Sequence, residues 1–405
     1  MLFAGATFAG MLRPMNIPSW LPLLLGLLSA VGPVSTDMYL PAFPAIEASL
    51  GGQHGAAQIT LAAWFAGLAV GQITQGTLAD RFGRRGPLIV GTAIYTLASA
   101  GCAVAPDLFW LALLRAISAF GGSASMVITR AIVRDVSDGH AAARMLSKLM
   151  LVMGAAPILA PTLGGFILAV AGWQAIFWIC TAYGALCCLA VVALLPETLL
   201  PERRVRLGPG AQVARYVSIL SERGFITHAL MGGFAMFGMF AFLAGSPPVF
   251  IELFHLSPPA FGMLFGICAA GFIAASQINP RILPRLGADR VTHASVRTFL
   301  AATLVLTLVA FTGWGGWLAV AVPIALSMAS QGFTMPNATV GALSRHAGHA
   351  GSASALMGTM QFGLASVSGV VAGVAGDGTA RPMAVLMLTG AIGANICDLC
   401  RPRRQ

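Results

Sequence analysis

Charge is scarce in this chain. Only 9% of its 405 residues are Asp, Glu, Lys or Arg, against roughly 25% in a soluble domain. With 57% of residues hydrophobic and a mean hydropathy of +0.84, an ordinary soluble enzyme, a disordered chain and a secreted disulfide scaffold are excluded. Lysine is almost missing: Lys148 stands alone, in Met145-Leu146-Ser147-Lys148-Leu149. A Walker A loop needs Gly-Lys-Ser/Thr after a glycine-rich turn so that the lysine reaches the phosphates. The chain is therefore not its own ATP engine, and no ATPase subunit is implied. Cysteine is modest, and the seven residues lie almost entirely in apolar runs, where they read as small hydrophobes. Cys397-x-x-Cys400 has no companion ligands, so neither a metal nor a cofactor is expected. No paired carboxylates, metal-ligand cluster or nucleophile–histidine arrangement sits on one span, and a membrane enzyme is disfavoured.

What the chain has instead is long apolar runs. A bilayer span takes about 20 residues as a helix. Twelve runs are read, at approximately 18–41, 57–79, 87–105, 108–133, 143–171, 173–195, 224–253, 258–280, 294–313, 315–342, 350–374 and 380–398. The expected fold is all-α: a polytopic membrane protein of twelve transmembrane helices in two six-helix, pseudo-symmetric bundles. The division is a 1–17 N-terminal extension, an 18–195 bundle, a 196–223 cytoplasmic linker, a 224–398 bundle and a basic 399–405 tail. The first dozen residues run into Arg13 and Pro14. They are read as a ragged extension, with Met15 as an alternative start, rather than as a cleaved signal peptide, whose basic residues precede its apolar stretch.

The net charge of +10 is distributed by side. Twenty-one of the 23 basic residues lie on one side: before span 1, at the span ends and loops that follow spans 2, 4, 8 and 10, in the central linker or at the C-terminus. The exceptions are Arg115, inside span 4, and Arg381, on the opposite side. Basic residues gather on the cytoplasmic face, so both termini are expected there, in a bacterial inner membrane. The surplus signals topology and contact with membrane lipids, not nucleic acid.

The halves echo each other. Arg81-Phe82-Gly83 follows span 2 and Arg285-Leu286-Gly287 follows span 8, while Pro41 is read as ending span 1 and Pro247 falls late in span 7. Parallel repeats of this kind build transporters with a substrate site at the repeat interface; coincidence is the other reading of two short echoes.

The sharpest segment is Gly76-Thr77-Leu78-Ala79-Asp80-Arg81-Phe82-Gly83-Arg84-Arg85. Gly76 permits close helix approach. Asp80 is placed to accept backbone amides at a helix start or to pair with an arginine, and Gly83 permits a tight turn. Arg84 and Arg85 are placed to bridge to carboxylates, with Asp135 at the end of span 4 as the expected partner. Gly76, Asp80, Arg81, Gly83, Arg84 and Asp135 together are read as a cytoplasmic latch, closed in one state and broken in another. The bland reading is a basic loop with a turn glycine.

This segment resembles the signature loop of the major facilitator superfamily. Further motifs resemble its Bcr/CflA group of drug-resistance antiporters: Thr36-Asp37-Met38-Tyr39-Leu40-Pro41, Ile132-Val133-Arg134-Asp135, Ala155-Ala156-Pro157-Ile158-Leu159-Ala160-Pro161-Thr162-Leu163-Gly164-Gly165, Gly172-Trp173-Gln174, Leu195-Pro196-Glu197-Thr198, Gly245-Ser246-Pro247 and Gly351-Ser352-Ala353-Ser354. The resemblance spans roughly residues 18 to 395. It departs at Ser118 and Ala119, where the family carries Gln-Gly after the span 4 arginine, and at Gln174, where it carries Arg. The resemblance implies proton-coupled antiport, with Asp37 recognising substrate or proton.

Two ionisable residues stand inside apolar runs. A charge at a span's centre costs about 2.5–3.5 kcal/mol on insertion scales, and such residues mark pathways. Arg115 and Asp37 are therefore expected to line one aqueous cavity, open alternately to either side, and to couple proton and substrate. The alternatives are that Arg115 only ties spans 1, 4 and 5 together, and that Asp37 is a wet carboxylate near the outer end. In span 5, Pro157 and Pro161 each remove an amide donor, and Gly164 and Gly165 allow close packing. The set reads as a hinge, or as a merely well-packed helix. For the substrate wall, span 7 offers Met231, Phe234, Met236, Phe237, Met239, Phe240 and Phe242, and span 11 offers Met357, Met360, Gln361 and Phe362. Flexible Met and flat Phe suit several apolar shapes, although both are ordinary membrane residues. Tyr39, Met236, Phe240, Gln331, Asn337, Met357 and Gln361 are taken as substrate contacts.

The expected function is proton-coupled efflux of small amphipathic drugs by alternating access. The rivals are export of a natural metabolite such as an amino acid, with incidental drug efflux, and a non-transporting membrane scaffold.

Overall fold

The computed structural model describes residues 18, 20–51, 55–136, 139–204, 208–344, 346 and 350–402. Among them every regular element is helical, as lipid requires of a chain that must satisfy its own backbone polar groups. α1 (Leu21–Asp37) passes through a 3₁₀ turn at Leu40–Ala42 into α2 (Phe43–Leu50). The two form one 30-residue apolar span, Leu21–Leu50. α3 (Ala56–Phe82), α4 (Arg85–Ala103), α5 (Leu108–Val136), α6 (Gly139–Ala171) and α7 (Trp173–Leu194) complete the first half. After α8 (Pro209–Leu220), α9 (Arg223–Pro247) continues through a π-helical turn at Pro248–Leu253. α10 (Pro258–Leu286), α11 (Ala288–Thr312), α12 (Gly316–Leu343), α13 (Ala350–Val374) and α14 (Arg381–Cys400) complete the second.

Among the described residues, eleven segments are long and apolar enough to cross a bilayer; α6, whose described apolar part is Leu159–Ala171, takes the remaining place. The outward surface is apolar, with Leu97, Phe109, Val170, Leu189, Leu308 and Val374 exposed, as expected of a lipid-facing wall.

The repeat is visible in the helix ends. Gly83 (φ 99°) terminates α3 and Gly287 (φ 79°) terminates α10, each in a left-handed conformation that a side chain disfavours. Spans 1 and 7 are matched in length, at 30 and 31 residues, and both are broken at proline. Pro41 does not end span 1 as expected. It sits in the 3₁₀ turn, and the chain stays helical to Leu50, because proline is tolerated in the first turn of the new helical segment.

The halves meet along two seams, α3 against α13 and α6 against α10. Counted as spans these are 2 with 11 and 5 with 8, which a swap of the halves interconverts. On the face away from the basic loops, called here the far face, the α6 seam is backbone-tight. A methyl group at Gly165 would lie 2.8 Å from the Pro258 carbonyl oxygen, and one at Gly262 would lie 2.7 Å from that of Pro161. Gly164 packs in the same way against the Met38 carbonyl at the break in span 1. α6 is continuous through both prolines; the side chain of Pro157 lies outside the described residues. The central linker also holds more structure than its polar composition suggested. α8 is a two-faced helix whose Ile219 is buried with Phe225 and Met357.

Candidate functional site

Between the halves lies a chamber of about 310 Å³, within the range of small-molecule sites. It is walled by α1, α3 and α5 from one half and α9, α10, α12 and α13 from the other. Five phenylalanines (Phe65, Phe240, Phe265, Phe272, Phe362) and four methionines (Met126, Met236, Met239, Met328) dominate the lining. α9 contributes Met236, Met239, Phe240 and Leu243, spaced i, i+3, i+4, i+7 so that one helix face forms the wall.

Among the described residues of this lining, Asp37 is the only ionisable one. It ends α1, near the middle of the 30-residue first span, not at its outer end. Its exposure is 6%, and no hydrogen bond or ion pair joins its carboxyl to any described residue. Thr36, Ser276 and Gln277 supply the remaining polar lining.

Arg115 is elsewhere, and the expectation that it shares a cavity with Asp37 is corrected. Its side chain is 2% exposed and sealed in the core of the first half. The guanidinium Cζ stands 4.5 Å from the Tyr39 ring centroid, 4.4 Å from Trp64 and 5.8 Å from Phe177. Nη1 donates to the Ser35 carbonyl oxygen at 2.9 Å, while Nε and Nη2 have no acceptor among the described residues. Desolvated cation–π contacts are worth up to about 2 kcal/mol each, and three of them offset the burial of this charge. Arg115 thus ties α1, α3 and α7 to α5. The neighbouring interior is a polar string: Ser35 Oγ bonds Tyr95 Oη at 2.5 Å and Ser99 Oγ bonds Ser118 Oγ at 3.1 Å.

Of the seven residues taken as substrate contacts, Met236 and Phe240 line the chamber. The other five do not. Tyr39 is fully buried beneath Arg115, its hydroxyl on Thr60. Gln331 is fully buried in the second half, with neither amide atom partnered among the described residues. Asn337 and Asn279 exchange amide hydrogen bonds of 3.1 and 3.3 Å. Met357 belongs to the Ile219–Phe225 cluster, and Gln361 packs against Gly232. Composition could not separate these from the wall, because each is a polar or soft residue on a span that does border the chamber.

The loop after α3 forms a compact ionic knot. Arg84, 6% exposed, reaches Asp80 Oδ1 with Nη1 at 2.6 Å and Asp135 Oδ2 with Nε at 2.8 Å. Burial works against its charge, but the bonds to Asp135 and Asp80 outweigh that and strengthen its hold on the proton. Arg81 stacks on Phe82 at 5.4 Å. Gly76 and Gly351 of the two halves lie beside this knot, with Ala355 3.9 Å from a methyl group at Gly76 and Asp80 Oδ2 3.9 Å from one at Gly351.

Glu197 was not anticipated as a member. Its Oε1 accepts from the Arg84 amide at 2.8 Å and its Oε2 from the Arg85 amide at 3.2 Å, capping the start of α4. Thr198 Oγ1 donates to Asp135 at 3.3 Å. Burial pulls the Glu197 carboxyl up, but the amides of Leu199, Arg84, Arg85 and Thr198 together hold it below its ordinary 4.5. The Leu-Pro-Glu-Thr motif held the signal, but its target lies 113 residues away.

The family model described as Major Facilitator Superfamily matches residues 25–370. An uncharacterised MFS-type transporter of Bacillus subtilis, YdgK, is 34% identical over 377 residues, covering 92% of this chain and 93% of that one. The bicyclomycin resistance protein homolog of Haemophilus influenzae is 28% identical over 365 residues, 90% and 92% of the two chains, in keeping with the Bcr/CflA resemblance of the motifs. The solved structure of a bacterial homolog of the human lysosomal transporter Spinster, in an inward-facing and occupied conformation, superposes with a TM-score of 0.72 at 15% identity, over 94% of this chain and 95% of that one, and shows the shared fold. The chain belongs to the major facilitator superfamily, and it is a multi-pass membrane transporter rather than an enzyme.

Proposed function

We propose that this transporter exports small amphipathic drugs across the bacterial inner membrane in exchange for protons. The observation that carries the reading is Asp37: one carboxyl with no partner among the described residues, in a chamber whose wall is dominated by Phe and Met, at the interface of the halves. A lone charge in apolar surroundings is costly, and either a proton or a bound solute relieves it. The two compete for one site, which is the requirement of antiport. Phe and Met walls adapt to several apolar shapes, which supports a broad substrate range.

The halves rock about the chamber. The glycine-tight α6–α10 seam closes the far face, and the Arg84 knot braces the basic face when that side is closed. Both termini are assigned to the cytoplasm by the basic loops. One charge crossing 100 mV supplies about 2.3 kcal/mol, enough for roughly a fifty-fold gradient of a neutral solute.

Uptake into everted membrane vesicles, with a drug panel and an imposed pH gradient, tests this. Wild-type vesicles accumulate drug when the gradient is applied and Asp37→Asn vesicles do not. Gradient-driven uptake by Asp37→Asn equal to wild type would overturn the reading.

A further inference from the structure

A second cavity of about 300 Å³ lies toward the basic face, between α3 and α5 of one half and α12 and α13 of the other, with α8 across it. Its lining is more polar than the chamber's. Gln72, Asp80, Arg84, Arg130, Gln212 and Tyr216 all contribute to it.

The two cavities lie along the same helix faces. Leu68 and Met126 line the chamber, while Gln72 and Arg130 line the vestibule. Each pair is four residues apart, so its members share a face and are about 6 Å apart along the axis. A solute occupying both spaces would need to be about 10 Å long.

Gln72 stands at the junction. It is 3% exposed, and its Nε2 has no hydrogen-bond partner among the described residues. It rests on the α3–α13 seam, where a methyl group at Gly358 would fall 2.9 Å from its Oε1. A buried amide donor left unsatisfied costs free energy that a ligand acceptor recovers.

We infer that the vestibule is a second recognition station, in which Gln72 Nε2 donates to an acceptor oxygen at the polar end of a solute whose apolar end occupies the chamber. The favoured solute class is bipartite: an aromatic or apolar body carrying a carbonyl, hydroxyl or similar oxygen one helical turn away. Lipophilic ions without such an oxygen use the chamber alone. This inference rests on the transport reading and adds a selectivity element to it.

Equilibrium binding to the purified full-length protein tests it with two probes. Chloramphenicol has an aromatic body and several oxygen acceptors; tetraphenylphosphonium has none. Gln72→Leu keeps the side-chain size and removes the donor. It is expected to weaken chloramphenicol binding about fivefold to tenfold and to leave tetraphenylphosphonium within about twofold. Equal losses for both probes, unchanged chloramphenicol binding, or a wild-type protein that does not bind chloramphenicol overturns the inference.

A photoreactive chloramphenicol derivative on the wild-type protein gives a readout independent of the variant's folding. Labelling of the α8 peptide holding Gln212 and Tyr216, together with chamber residues, supports the station, and labelling confined to the chamber contradicts it. Asp37→Asn separates the two proposals: unchanged tetraphenylphosphonium binding there removes the transport reading's coupling residue without altering the Gln72 comparison.

Discussion

Arg115 bonds α1 at Ser35, two residues before Asp37, yet the guanidinium and the carboxyl do not pair. The cation lies among Tyr39, Trp64 and Phe177 on the core side, and the carboxyl opens on the chamber. The break in span 1 begins directly after Asp37. Arg115 therefore holds the segment that presents Asp37 and leaves the carboxyl free to exchange partners.

A planar, stacked guanidinium is not replaced by an ammonium. Arg115→Lys is expected to lose about 1–3 kcal/mol of stability, read as a lower unfolding temperature in detergent, with drug efflux still dependent on the pH gradient in the folded fraction. A variant of wild-type stability whose efflux no longer responds to the gradient would assign Arg115 to coupling instead.

The α6–α10 seam has no space for a side chain at Gly262, where the Pro161 carbonyl oxygen lies 2.7 Å from the position of a methyl group. Gly262→Val is expected to cost about 1–3 kcal/mol and to reduce efflux severely while the protein still reaches the membrane. Efflux and thermal stability equal to wild type would show that the far-face closure is not as tight as described.

Much of this was legible in the sequence. Twelve apolar runs fix the helices because lipid offers the backbone no partner, and Gly83 and Gly287 were visible as echoes because turn chemistry is local. Asp37 stood out as a charge among apolar residues. What could not be read were arrangements assembled from distant segments. Three rings, from the break in span 1, α3 and α7, cage Arg115, and a linker carboxylate caps α4. The chamber's α10 wall of Phe265, Phe272 and Gln277 looks like any lipid-facing run until α9 is placed opposite it. Only the i, i+3, i+4, i+7 spacing of Met236, Met239, Phe240 and Leu243 offered a local signal that would have separated wall from core on α9.

In the ionic knot, Arg84 has two carboxylate partners while being nearly buried. Hydrogen bonds to charged groups contribute about 1.5–3 kcal/mol each. Asp135 is 16% exposed and Asp80 45%, so solvent screens the second contact more. Asp135→Asn is expected to destabilise the protein more than Asp80→Asn, as measured by thermal unfolding of both variants in one detergent. The reverse order would place the main anchor on α3.

Glu197 gives the knot a pH dependence. Its carboxyl titrates below its ordinary 4.5 in the folded protein, so its contribution is complete above that value. The contribution disappears as pH falls from 4.5 through the lower folded value. Glu197→Gln is expected to lower stability at neutral pH by about 1 kcal/mol, the scale of a lost helix cap, and to approach wild type as both are acidified. A deficit that grows on acidification would contradict the capping role.

The most direct measurement of the central claim is proton release on drug binding. Tetraphenylphosphonium is added to the unbuffered, detergent-purified protein while pH is recorded. Wild type is predicted to release protons in proportion to bound drug, and Asp37→Asn to release none. Equal proton release from the two proteins would show that the exchange occurs at another group and that the chamber carboxyl is not the coupling site.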